Sequence, residues 1–106
     1  MIIRGGENIF PKEVEDFLNS HPDICETHVV GVPCERLGEE LCAFVRLQDG
    51  VTKISRDEIK EFCKGKLAHF KIPRYVIRVD NFPKTASGKI QKFKLVELYE
   101  KEHQAQ

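Results

Sequence analysis

The spacing of apolar positions changes along this chain, and each change marks an element. Ile2-Ile3 and Ile9-Phe10 flank Gly5-Gly6, which predicts a short hairpin or a tight glycine turn. Pro11 suits the first position of a helix, where no N–H is needed. Val14, Phe17 and Leu18 follow at i, i+3 and i+4, one apolar face, and Pro22 ends that helix near Ser20 or His21. Thr27 to Val32 is β-rich and bounded by Pro33. From Leu41 to Leu47 the period is two. Leu41, Ala43, Val45 and Leu47 fall on one side and Cys42, Phe44 and Arg46 on the other, the pattern of a half-buried strand. Gln48-Asp49-Gly50 is the turn after it.

Ser55-Arg56-Asp57-Glu58 reads as a capping box, in which the serine oxygen accepts from the Glu58 N–H while the glutamate reaches back. Ile59, Phe62 and Cys63 continue at helical spacing, Gly65 weakens the end of the helix, and Pro73 bars its continuation. Tyr75 to Val79 is another β-rich run. Asn81 to Gly88 is a loop by its Pro, Ser and Gly content, and Lys92 to Gln104 is a terminal helix with Leu95, Leu98 and Tyr99 on one face. The order is hairpin, helix, strand, strand, helix, strand, loop, helix. It predicts an α+β domain with a small sheet of about three strands flanked by helices.

Composition narrows the classes. A length of 106 residues fits one small domain. Apolar residues at 41% and charged residues at 32% exclude disorder as the default. No run approaches the roughly 18–20 apolar residues of a membrane span. Met1 to Gly6 form neither a signal peptide nor a transit peptide, so no compartment address is expected in this stretch. The cysteines at 25, 34, 42 and 63 have no metal-ligand spacing, and no metal site is expected. Cys42 and Cys63 fall in periodic apolar segments and are expected in the core.

Net charge is zero but unevenly spread. Residues 1–59 carry 6 basic and 12 acidic side chains, residues 60–94 carry 10 basic and 2 acidic, and residues 95–106 carry 1 basic and 3 acidic. The basic stretch suggests an anionic partner, though a solvated lysine-rich surface accounts for it equally well.

Two segments are candidates for chemistry. Gly5-Gly6 allows backbone conformations closed to other residues and a close approach by a ligand. Pro83-Lys84-Thr85-Ala86-Ser87-Gly88-Lys89-Ile90 lacks the G-x4-G-K-[ST] pattern of a nucleotide-binding phosphate loop, yet Lys89 beside a glycine can project a charge onto a ligand. Plain turns remain the alternative for both segments taken singly.

Together these segments resemble a family. Gly5 to Glu15 resembles the segment that opens the small C-terminal domain of AMP-forming adenylating enzymes, the superfamily of acyl-CoA synthetases, peptide-synthetase adenylation domains and beetle luciferases. Val30-Gly31-Val32-Pro33, Gly38-Glu39-Glu40 and Ala43-Phe44-Val45 look like its next stretch. Phe70 to Tyr75 is similar to the stretch before its lysine loop, and Pro83 to Ile90 is similar to that loop. The Gly-Gly-Glu-Asn variant and the Lys89 to Lys92 ending look most like mitochondrial medium-chain fatty acyl-CoA synthetases.

The resemblance implies a two-step reaction. A fatty acid attacks the α-phosphate of Mg2+-bound ATP to give acyl-AMP, and the coenzyme A thiol then displaces AMP. It implies Lys89 as the lysine of the first step. It implies Gly5, Gly6 and Glu7 as part of the tunnel for the pantetheine arm of coenzyme A. Lys71, Arg74 and Lys92 are candidate contacts for coenzyme A phosphates by charge alone. The implied domain swings on a large N-terminal domain that holds ATP, Mg2+ and the acyl chain, and whose characteristic residues do not occur in residues 1–106. The hinge is expected just upstream of Met1, the location is expected to be mitochondrial, and the isolated domain is expected to be inactive. Two other readings stay open: an adenylating enzyme with a carrier-protein thiol or oxygen acceptor, and a polyanion-binding module. For the latter, the absence of Trp, the two Tyr and the lack of interleaved aromatic and basic residues argue against nucleic acid.

Overall fold

The Gly5-Gly6 turn joins β1 (Ile2–Arg4) to β2 (Glu7–Ile9), in the register Ile2↔Ile9, Ile3↔Asn8 and Arg4↔Glu7. This is a computed structural model, and it describes residues 1–104. Both glycines have positive φ, 56° and 86°, which a two-residue hairpin turn of this twist requires. Helix α1 (Pro11–Leu18) follows with Pro at its start, and it ends two residues before Ser20. Its apolar stripe is as expected: Val14 and Leu18 are buried, and Phe17 packs on Phe62 with ring centroids 4.9 Å apart.

Strand β3 (Ile24–Cys34) runs antiparallel to β4 (Gly38–Leu47) from Ile24↔Leu47 to Cys34↔Gly38. It passes through Pro33 instead of stopping there. The strand lies at the sheet edge, where a missing N–H on the free side costs no ladder bond. On the other side of β4, β5 (Tyr75–Arg78) pairs in parallel, from Cys42↔Tyr75 to Val45↔Arg78, and β1 joins at Arg4↔Gly38. The sheet therefore has five strands, not about three, because the N-terminal hairpin extends it.

Strand β4 is central, and this corrects its expected half-burial. Leu41, Ala43, Val45 and Leu47 face one core, with Ile2, Ile9, α1 and helix α2 (Arg56–Cys63). Cys42 and Phe44 face a second core, with Val30, Val32, Ile77 and helix α3 (Lys92–Gln104). A strand covered on both faces reads as continuous apolar sequence even when its period is two. Phe44 is wholly buried, and truncating such a ring costs about 3–5 kcal/mol.

Half of the capping box forms: Ser55 Oγ accepts from Glu58 N–H at 3.1 Å, while Glu58 Oε1 accepts from the serine hydroxyl at 3.3 Å instead of from the Ser55 N–H. On α3, Leu95 and Tyr99 are buried, but Leu98 turns outward and Val96 packs inward in its place. Cys42 and Cys63 are buried, Cys25 is exposed, and all four thiols are free.

Candidate functional site

The loop between β5 and α3 is a tight hairpin, not a slack connection. Lys84 and Ile90 form a bridge, Gln91 N–H donates to Pro83 C=O at 2.9 Å, and Thr85 N–H donates to Lys89 C=O at 2.8 Å. Inside it, Gly88 N–H donates to Thr85 C=O, and Lys89 N–H donates to Thr85 Oγ1 at 3.1 Å. Gly88 turns the tip with φ 88°. Lys89 is exposed at that tip, and among the described residues its ammonium makes no ion pair. A fixed backbone with a free ammonium on a flexible stem can deliver a point charge to an anion.

Two neighbouring lysines, Lys84 and Lys92, are engaged. Lys84 Nζ lies 3.4 Å from Glu26 Oε2. Lys92 Nζ bonds Glu15 Oε2 at 3.0 Å and Val29 C=O at 3.1 Å. Strand β3 is thus the floor of the loop. Burial raises the Glu26 carboxyl, but hydrogen bonds from His28 and Arg46 and the charge of Lys84 outweigh it. The net effect holds the carboxyl below its ordinary 4.5.

The Gly5-Gly6 turn is exposed and anchored. Gly5 N–H donates to Leu37 C=O at 2.9 Å, and Ile3 N–H donates to Glu39 Oε1 at 2.9 Å. A Cβ on Gly6 would meet nothing within 4 Å, so this backbone is open to a ligand. Glu7 is exposed beside it.

Arg4, next to that turn, lines a groove with Arg56, Lys60, His69, Arg74 and Glu40. Glu40 is buried and holds Arg4 Nε at 2.7 Å. Arg74 is exposed over the Tyr75 ring, 5.6 Å from its centroid, and among the described residues it has no carboxylate partner. The structure does not bring Lys71, Arg74 and Lys92 together. Lys71 is paired with Glu13 at 2.7 Å, tying the 3-10 turn His69–Lys71 to α1. Sequence reasoning missed Arg4, Arg56 and Lys60 as groove residues. Arg4 and Arg56 lie in the acidic half, so no charge run flags them, although adjacency to Gly5 was a signal for Arg4. It also missed Glu15, Glu26 and His28, which nothing in the sequence connects to the loop. Among the described residues, no three His, Cys, Asp or Glu side chains gather to hold a metal, and no helix is long and apolar enough to cross a membrane.

A bonded lysine hairpin, an open glycine turn and a groove lined by basic side chains thus stand on one α+β frame. The profile of the AMP-binding enzyme C-terminal domain matches residues 13–89, and the chain belongs to that family. Among its relatives, the bovine mitochondrial medium-chain acyl-CoA ligase ACSF2 is 61% identical over 100 residues, covering 94% of this chain and 16% of the relative. The putative acyl-CoA synthetase YngI of Bacillus subtilis is 58% identical, covering 92% of this chain and 18% of the relative. Among solved structures, apo MatB from Rhodopseudomonas palustris superposes with a TM-score of 0.86 at 40% identity, covering 92% of this chain and 19% of that one. The chain thus spans less than a fifth of the length of each.

Proposed function

We propose that this chain is the C-terminal domain of an AMP-forming fatty acyl-CoA synthetase, and that Lys89 is its adenylation lysine. The observation that carries this is the Lys89 ammonium, unpaired among the described residues, on an internally bonded hairpin beside two lysines held by carboxylates. In the first step a carboxylate oxygen attacks the α-phosphorus of ATP and pyrophosphate leaves. Two anions must meet, and negative charge builds on the phosphorus oxygens and the leaving group. A positioned ammonium offsets that charge. The Thr85 and Gly88 bonds keep the loop from reorganising as it does so. In the second step the coenzyme A thiol attacks the acyl carbon and AMP leaves.

The glycine turn serves that second step. Gly6 offers open backbone to the thin pantetheine arm, with Glu7 beside it, while Gly5, whose Cβ position lies 3.1 Å from Leu37 Cδ2, sets the turn. Arg74 contacts a coenzyme A phosphate, helped by Arg4, Arg56 and Lys60 in the same groove. A phosphate at Lys71 or Lys92 would have to displace Glu13 or Glu15, so these two lysines contribute less. Because the lysine loop and the glycine turn serve different steps, the domain rotates on a large N-terminal domain between them. That domain holds the fatty acid, ATP and its Mg2+, so residues 1–106 alone are inactive. The name of the bovine relative supports a mitochondrial location.

The test uses the full-length enzyme. Fatty-acid-dependent ATP–pyrophosphate exchange is compared between wild type and Lys89→Ala, and thioester formation is followed from preformed acyl-AMP and coenzyme A. Exchange is expected to fall about 10²–10³-fold, the usual loss for one charge-stabilising donor. The thiol step should survive. Unchanged exchange would reduce the lysine loop to a charged turn. Thiol transfer to a carrier protein but not to free coenzyme A would favour the alternative acceptor.

A further inference from the structure

We propose that Glu26 is a positioning residue for Lys89. This rests on the reading of Lys89 as the adenylation lysine. The two legs of the lysine hairpin stand on strand β3. The first leg contributes Phe82, whose ring meets His28 edge-on at 4.6 Å, and Lys84, whose Nζ lies 3.4 Å from Glu26 Oε2. The second leg ends at Lys92, held by Glu15 and the Val29 carbonyl. Glu26 and His28 are two residues apart on one strand and so share a face.

The Glu26 carboxylate is also held from within the sheet. His28 Nε2 bonds Oε2 at 2.6 Å, and Arg46, opposite Glu26 on β4, bonds Oε1 at 3.3 Å. His28 Nδ1 also lies 4.0 Å from Glu15 Oε2, so the acceptors under the two legs belong to one network. Lys84 is the loop's only ion-pairing side chain on Glu26 among the described residues, and it is 43% exposed. Such a pair contributes little to folding stability. Its effect on geometry is larger. The legs are bonded to each other through Gln91 and Pro83, so a tilt of the first leg moves the whole hairpin and its Lys89 tip. A displacement of about 1 Å at a reacting group can cost about 10²-fold in rate.

The experiment uses the full-length enzyme and the two half-reactions. Glu26→Gln keeps the side-chain shape but removes the charge that attracts Lys84. Its exchange kcat is expected to fall about tenfold, with KM for ATP within about twofold and the thiol step within about twofold. Lys84→Met, on the exposed end of the contact, should reproduce that loss, and it carries the test if Glu26→Gln does not fold. In a Lys89→Ala background Glu26→Gln should cause no further loss, because its effect passes through the missing ammonium. A loss that multiplies with that of Lys89→Ala, equal losses in both half-reactions, or unchanged exchange in both single variants would overturn the proposal. Failure of the adenylation reading shows separately, as undiminished exchange in Lys89→Ala alone.

Discussion

Lys84, Lys89 and Lys92 sit within nine positions of one another and are identical as residues, yet they have three different surroundings. Glu26 takes the first, and Glu15 and a carbonyl take the third. The middle one makes no ion pair among the described residues, which is what the proposed adenylation role requires. No local pattern separates them, since their partners lie 58 and 77 residues away in sequence. Thr27 is a second residue whose role only its surroundings reveal. It reads as an ordinary β-former, but it is buried, and its hydroxyl has no hydrogen-bond partner among the described residues. A buried unpaired hydroxyl costs about 1–3 kcal/mol. Thr27→Val is therefore expected to stabilise this domain by about 1 kcal/mol, raising its melting midpoint by roughly 4–8 °C in a thermal scan. An unchanged or lower midpoint would mean that the hydroxyl is satisfied in solution.

Among the elements, the N-terminal hairpin has the strongest backbone requirement. Gly6 has φ 86° with open space around its Cβ position, so any penalty for a side chain there is conformational, not steric. Gly6→Ala is expected to cost about 1–2 kcal/mol in urea unfolding. If the turn contacts pantetheine, the same change slows the thiol step of the full-length enzyme while sparing pyrophosphate exchange. A variant as stable as wild type would remove the strain argument. Element types were legible where period and punctuation agreed: α1 from Pro11, α2 from its capping box, and α3 over 92–104. The sequence misled where neighbours decide. The period of β4 was correct, but its burial was not, because α3 covers the face that a single strand would show to water. Apolarity puts Leu98 on the inner face of α3, but the packed surface takes Val96 instead.

Across the whole molecule, the uneven charge is partly self-satisfied. Lys71, Lys84 and Lys92 from the basic stretch pair with Glu13, Glu26 and Glu15 from the acidic half. The excess of 8 positive charges in residues 60–94 is therefore partly a folding complement. Among the described residues, Lys60, Lys64, Lys66, Arg74, Lys89 and Lys94 of that stretch make no ion pair, and of these Lys60 and Arg74 share the groove. Titration follows the same layout. Glu26 titrates near 4.5 when unfolded and lower when folded. As pH falls through that interval, the unfolded chain takes up a proton first and stability drops. Burial pushes the Cys42 thiol up to about 12 and that of Cys63 up to about 11, from an ordinary 9.0. Above pH 9 the unfolded chain loses protons that the folded chain keeps, so stability drops again. Urea midpoints should therefore peak near neutrality. A midpoint that rises above pH 9 would contradict the burial of these thiols.

The amino-acid sequence alone determined the element order, the caps, the glycine turn and the lysine loop. Each depends on backbone preferences and periodicities that act within a few residues. Tertiary structure decided which strand is central, which lysine stays free, and where Arg4, Arg56 and Lys60 meet Arg74. Those outcomes depend on pairings between residues far apart in the chain, and a charge or apolar side chain acquires its partner only when the sheet and helices bring the two together.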